Sequence, residues 1–119
     1  MVMDEYSGAL LGHIIKGIQE VKGECITVLD LKDIGHAICD YFVICNGNSH
    51  SQVAAISQSV EKCTSNHLKE KPWHVEGLIN SNWVLIDYVS VVVHVFQKES
   101  RKYYDLESFW GDAFRINVD

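Results

Sequence analysis

The run Tyr41-Phe42-Val43-Ile44-Cys45 constrains this chain more than any other feature. Five apolar residues in succession, β-branched and aromatic among them, read as a strand. A strand without a polar face must be covered on both sides, which predicts a central position in a layered sheet. The rest of the chain must then supply the cover.

Residues 8–22 predict a helix, with Leu11, Ile14, Ile15, Ile18 and Val21 forming one apolar stripe. Gly12 and Gly17 weaken it in isolation, so it must depend on packing, and Gly23 is placed to stop it. Residues 25–31 read as a second β-rich strand. After the Gly47-Asn48-Ser49 turn, Ser49 and Gln52 have capping-box spacing, predicting a helix from Ser49 to about residue 69. Val53, Ile56, Val60, Cys63 and His67 line one side of it. Residues 69–82 look irregular except for a short extended piece at His74-Val75-Glu76. Residues 83–88 and 91–96 predict an antiparallel hairpin, and residues 99–110 one or two helical turns. Helix, strand, strand, helix, strand, strand, helix is the order of an α/β (α+β) fold: one domain of 119 residues, with its core at about 8–113 and a mixed sheet flanked by helices.

Charge narrows the function. The formal net charge is −6, which argues against gripping nucleic acid by its phosphates and suits a basic protein partner. The acidic start Met1-Val2-Met3-Asp4-Glu5 resembles neither a secretory signal nor a transit peptide, and the longest apolar run, residues 89–96, is too short to span a bilayer. A cytoplasmic location without membrane contact is expected. No two of the four cysteines are spaced Cys-x-x-Cys, so reduced, buried thiols are expected.

Motifs for chemistry are incomplete. His74-x-Glu76 matches half of the zinc deaminase signature, but Pro-Cys-x-x-Cys is missing. An unorthodox metal site would need His94 and Asp87 to approach His74 across a sheet. Gly47-Asn48-Ser49-His50-Ser51 lacks the last glycine of a nucleophile elbow. A phosphate at the following helix N-terminus would have no Walker lysine. No cofactor or metal is expected. The tryptophans and tyrosines from residue 73 onward, Trp73, Trp83, Trp110, Tyr88, Tyr103 and Tyr104, are residue types enriched at binding hot spots. Trp83 opens a strand at the sheet's rim, where its ring can face a partner, whereas Trp110, beside Leu106 and Phe109, looks like core.

Several separated blocks resemble the ribosomal silencing factor (Iojap-like) family. They are Asp40-Tyr41-Phe42-Val43-Ile44-Cys45, Gly47-Asn48-Ser49 with Gln52-Val53, Val75-Glu76-Gly77, Trp83-Val84-Leu85-Ile86-Asp87-Tyr88, Val92-Val93-His94-Val95-Phe96, and Arg101-x-x-Tyr104-x-Leu106-Glu107-x-x-Trp110. The resemblance implies a nucleotidyltransferase-like fold without the reaction. No Asp-x-Asp follows the Gly-Asn-Ser turn and Asp87 stands alone, so two-metal chemistry lacks its ligands. The alternative is a degenerate enzyme or nucleotide-binding protein of that fold. The resemblance also implies docking on the large ribosomal subunit through its universal protein fourteen, blocked subunit joining, repressed translation and a homodimer when free. By resemblance the contact falls on Trp83, supported by Tyr88, Glu76 and Asp87, with Gly77 shaping the patch and His94 either touching the partner or propping its strand. One departure stands out. Where the family has Gly-Asp after the tyrosine, this chain has Val89-Ser90. Valine disfavours positive φ, so a different or longer turn is expected, and no carboxylate stands there to meet a partner.

Overall fold

All seven residues of β2 (Tyr41–Gly47) are buried, as a strand with no polar face requires. The structure is a computed structural model that describes residues 5–118; residues 1–4 of the acidic start and Asp119 lie outside the described residues. The remaining strands are β1 (Glu24–Asp30), β3 (His74–Glu76), β4 (Trp83–Asp87), β5 (Val91–Gln97) and β6 (Phe114–Val118). They form one sheet in the order β3-β4-β5-β2-β1-β6. β2 and β5 run parallel at its centre, and every other pairing is antiparallel. The mixed sheet and the β4–β5 hairpin match the sequence reading.

Two helices, α1 (Glu5–Glu20) and α2 (His50–Leu68), cover one face of the sheet. Leu10, Ile14 and Ile18 of α1 and Val53, Ile56 and Val60 of α2 are completely buried. Each such side chain contributes roughly 1.5–3 kcal/mol by leaving water. The helices run antiparallel: Ser59 Oγ–H donates to the Gly17 carbonyl at 2.6 Å, and Gln52 Nε2–H to the Lys22 carbonyl at 3.0 Å. A Cβ on Gly17 would stand 2.8 Å from the Val60 Cα, so glycine permits this close approach. The predicted stop is displaced by one residue, since Lys22, not Gly23, carries the positive φ of 62°.

Ser49 caps α2 as expected, accepting from the Gln52 N–H at 3.1 Å. The Gln52 side-chain carbonyl oxygen returns to the Asn48 N–H at 2.7 Å. Two amides that a bound anion would need are thus taken, and Ser49 serves the helix end.

The other face carries a second core of Leu29, Leu31, Cys39, Phe42, Ile44, Val92 and Phe96. The predicted helix over residues 99–110 is broken in two, α3 (Lys98–Tyr104) and α4 (Leu106–Phe109), because Asp105 takes φ 46° between them. Leu106 and Trp110 pack on this core, with Trp110 edge-on to Phe42 at 5.6 Å. β6 was not expected from the sequence, although Phe114, Ile116 and Val118 alternate as strand residues do. Cys39, Cys45 and Cys63 are buried as expected; Cys25 is exposed.

The hairpin turn corrects one expectation. Val89 does adopt positive φ, 75°, and the loop is not lengthened. The Ser90 N–H closes on the Tyr88 carbonyl at 2.9 Å across the single residue Val89, a tight γ-turn. Asp87 holds the strained residue by accepting the Val89 N–H at 2.7 Å. The Val89 side chain is exposed, so no packing opposes it.

Candidate functional site

Strand alternation divides β4 between the two faces. Val84 and Ile86 point to the helices and are fully buried, while Trp83, Leu85 and Asp87 point to the opposite face and are half-buried. Register then adds β3. Glu76 lies opposite Leu85 and His74 opposite Asp87, so these side chains share the face of Trp83. α3 packs on β5 and β2. It reaches β4 at Trp83, where Tyr104 lies 4.9 Å from the indole. The β3–β4 end of this face is therefore left open, with a shallow groove of about 210 Å³ between Glu76, Gly77, Trp83 and Leu85. Gly77 has φ 95°, and a Cβ there would come within 2.0 Å of the Trp83 carbonyl oxygen.

Trp83 is held from below. Its Nε1–H donates to His94 Nδ1 at 3.0 Å, and its ring stacks on Phe96 at 4.9 Å. His94 is 3% exposed and meets the Phe42 ring edge-on at 4.4 Å. Since Nδ1 accepts, the neutral ring carries its proton on Nε2, which has no partner among the described residues. Burial pushes the His94 pKa down to about 4. A second proton would also set two N–H donors against each other at the Trp83 bond.

This predicts a pH dependence. The unfolded histidine takes up its proton near pH 6.5, whereas the folded one resists until about pH 4. Stability is therefore complete above pH 6.5 and falls as pH drops toward 4, by up to about 3 kcal/mol. Urea unfolding from pH 7.5 to 4 should show this slope, and His94→Phe should flatten it. Equal slopes in both proteins would show that His94 is not the cause.

A family model described as "Ribosomal silencing factor during starvation" matches residues 4–119. The ribosomal silencing factor of Halalkalibacterium halodurans is 40% identical over 110 residues, covering 92% of each chain. That of Bacillus subtilis is 42% identical over 99 residues, covering 82% of this chain and 81% of its own length. A crystal structure from Bacillus halodurans superposes with a TM-score of 0.78 at 36% identity, covering 94% of this chain and 98% of that one. The chain belongs to the ribosomal silencing factor family. It is accordingly a factor and not an enzyme.

The silencing-factor fold brings together only part of the patch expected from the sequence. Trp83, Glu76 and Gly77 line one groove. Asp87 shares their face about 13 Å along the strand from Trp83, and one of its oxygens is engaged by the turn. His94 lies beneath Trp83 as its hydrogen-bond support, 3% exposed. Tyr88 is not with them. It points to the helical face, is 3% exposed, and shares a 2.8 Å hydrogen bond with the Thr64 hydroxyl. Burial raises its phenol pKa to about 12. A partner resting on Trp83 cannot touch it. Leu85 was missed, although the alternation Trp-Val-Leu-Ile-Asp places it on the face of Trp83. The unorthodox metal arrangement does not form either. His94 registers with Leu85, which registers with Glu76, so two strand spacings of about 5 Å each separate His94 from β3. No described helix is long and apolar enough to cross a membrane.

Proposed function

We propose that this protein docks on the large ribosomal subunit through universal protein fourteen and, by its bulk, keeps the small subunit from joining. One observation carries the reading: the β3–β4 end of the sheet face is open, and there an aromatic anchor, Trp83, stands beside Leu85 and the exposed carboxylate of Glu76. A partly exposed tryptophan on an apolar strand, flanked by acid, has the composition of a hot spot for a basic protein. Its indole is already fixed by His94 and Phe96, so little side-chain freedom is lost on binding. Asp87 extends the acidic rim, and Gly77 sets the groove's depth. The net charge of −6 favours encounter with a basic ribosomal protein and disfavours RNA phosphate as the main contact. The same reading takes the free protein as a homodimer working in the cytoplasm; light scattering on the purified chain reports its mass.

The test is co-sedimentation with isolated large subunits, paired with subunit joining followed by light scattering. The wild type should pellet with large subunits and slow joining. Trp83→Ala should weaken docking by at least about 1–2 kcal/mol, roughly five- to thirty-fold. Micromolar protein that neither pellets nor slows joining would end the proposal. A fully folded Trp83→Ala protein with wild-type affinity would move the contact elsewhere.

A further inference from the structure

The helical face, opposite the proposed docking groove, holds a group of donors that the docking function does not use. His13 of α1 meets Cys63 and His67 of α2. One ligand atom from each lies within 4.8 Å of the other two. The shortest approach is Cys63 Sγ to His13 Nδ1 at 3.8 Å. The two imidazoles lie face to face, their centroids 4.8 Å apart and their planes 9° from parallel. Among the described residues, neither ring has a hydrogen-bond partner other than this thiol contact.

The convergence follows from the helix pair. Antiparallel packing that sets Gly17 against Val60 sets the residue one turn earlier on α1, His13, against the residue one turn later on α2, Cys63. His67 follows Cys63 by four residues and so projects from the same face. The close backbone approach at Gly17 brings these short side chains within reach of one another. Tetrahedral zinc, with bonds of about 2.0–2.1 Å to nitrogen and 2.3 Å to sulfur, spaces its ligand atoms about 3.3–3.6 Å apart. The thiol–imidazole spacing is already close to that. The longest separation must close by about 1.3 Å, and the exposed His67 ring must also turn out of its stack on His13 so that the two in-plane nitrogen lone pairs converge on one ion.

We propose that His13, Cys63 and His67 bind a zinc-class divalent cation that clips α1 to α2. One thiolate and two imidazoles suit a borderline-soft ion of tetrahedral preference, and neither magnesium nor calcium takes such ligands. Three protein ligands leave the fourth position to water or to a donor brought by a partner. On binding, the Cys63 thiol gives its proton to solvent and the thiolate sulfur donates to the metal, so each ion bound releases one proton from this group. The site joins two helices that cover one whole face of the sheet, and occupancy stiffens them without touching the β3–β4 groove.

The test uses the full chain carrying Cys25→Ser, which removes the exposed thiol, after metal has been stripped with a chelator. Cobalt(II) is the probe. One equivalent should produce a thiolate-to-cobalt charge-transfer band together with the strong visible bands of a tetrahedral ion. Zinc should abolish both and raise the melting temperature. Cys63→Ser should lose the charge-transfer band, and His13→Ala and His67→Ala should each weaken binding at least ten-fold. His67 is exposed, so His67→Ala tests the site even if a change at buried Cys63 unsettles the fold. Absence of a charge-transfer band at excess cobalt overturns the proposal. So does a band that survives both histidine changes, which would mean a thiol binding alone.

Discussion

Replacing Arg101 with methionine should cost about 3 kcal/mol of stability, the low end of the loss expected when one partner of a buried ion pair is removed, because this pair is largely but not fully buried. The Arg101 and Glu107 side chains are 11% and 12% exposed, and their charged ends meet at 2.8 Å. The guanidinium also serves the sheet. β1 shifts register between Glu24 and Thr27, with Cys25 at φ 54°, and this irregularity turns the Cys25 carbonyl out of the ladder. Arg101 Nη1–H donates to that carbonyl at 2.6 Å and to Asn46 Oδ1 at 2.9 Å, and Nη2–H donates to Thr27 Oγ1 at 3.2 Å. One side chain thus joins α3, α4, β1 and β2. Methionine fills the space of the stem but leaves a carbonyl and an amide oxygen without their donor and the carboxylate with only the longer Arg115 contact, 3.4 Å.

The expected fall in melting temperature is on the order of 15 °C. Arg101→Lys should recover little, because an ammonium cannot reach these acceptors with a planar fork. Arg101→Met combined with Glu107→Leu should be more stable than Arg101→Met alone, since the stranded charge is gone. A single variant that loses less than about 1 kcal/mol would mean that Arg115, 3.4 Å from Glu107, compensates, and that Arg101 does not hold these four elements together.

How far these roles could be read from the sequence depends on whether each follows from local pattern or from tertiary register. The buried centre, Tyr41 to Cys45, was legible because its apolar run admits only a covered strand. The Ser49 cap was legible because capping acts over three residues. Leu85 could have been found by alternation once Trp83 was placed on its strand. Tyr88 was misplaced for the same reason, since five residues after Trp83 a strand side chain faces the other way. Val89 misled because a general preference was overridden locally. The Asp87 hydrogen bond and the ladder on either side hold a conformation that valine alone would avoid. Arg101 and Glu107 were visible as part of a spaced block, but what they hold is a bulge in a strand more than 70 residues away. The His13, Cys63 and His67 group needs the pairing of two helices that brings together His13 and Cys63, 50 residues apart, which no local spacing encodes.

Gly77→Ala should impair docking as severely as Trp83→Ala while removing no side chain of the proposed contact. Two costs arise at once. The residue sits at φ 95°, where a side chain strains the backbone by roughly 1–3 kcal/mol. A Cβ would also fall 2.0 Å from the Trp83 carbonyl oxygen and 3.2 Å from the Val84 Cα, both backbone atoms of β4 that cannot swing aside. Relief requires the 77–81 turn to lift away from the strand, and the Ser81 N–H bond to the Gly77 carbonyl, 2.9 Å, moves with it. The lower entropy of alanine in the unfolded chain offsets only about 0.4–1 kcal/mol. A net loss of about 2–3 kcal/mol in unfolding free energy is expected. In co-sedimentation, affinity for large subunits should fall about ten-fold or more, because the wall of the groove beside Trp83 has moved. Ile79→Ser is the control. That side chain is fully exposed at the tip of the same turn, so its replacement should leave stability unchanged. If Gly77→Ala kept wild-type stability and affinity, the groove beside Trp83 would not be the surface that the partner reads. If it lost stability alone, Trp83 could act without the Gly77 wall, and the contact would centre on Leu85 and Asp87 farther along β4.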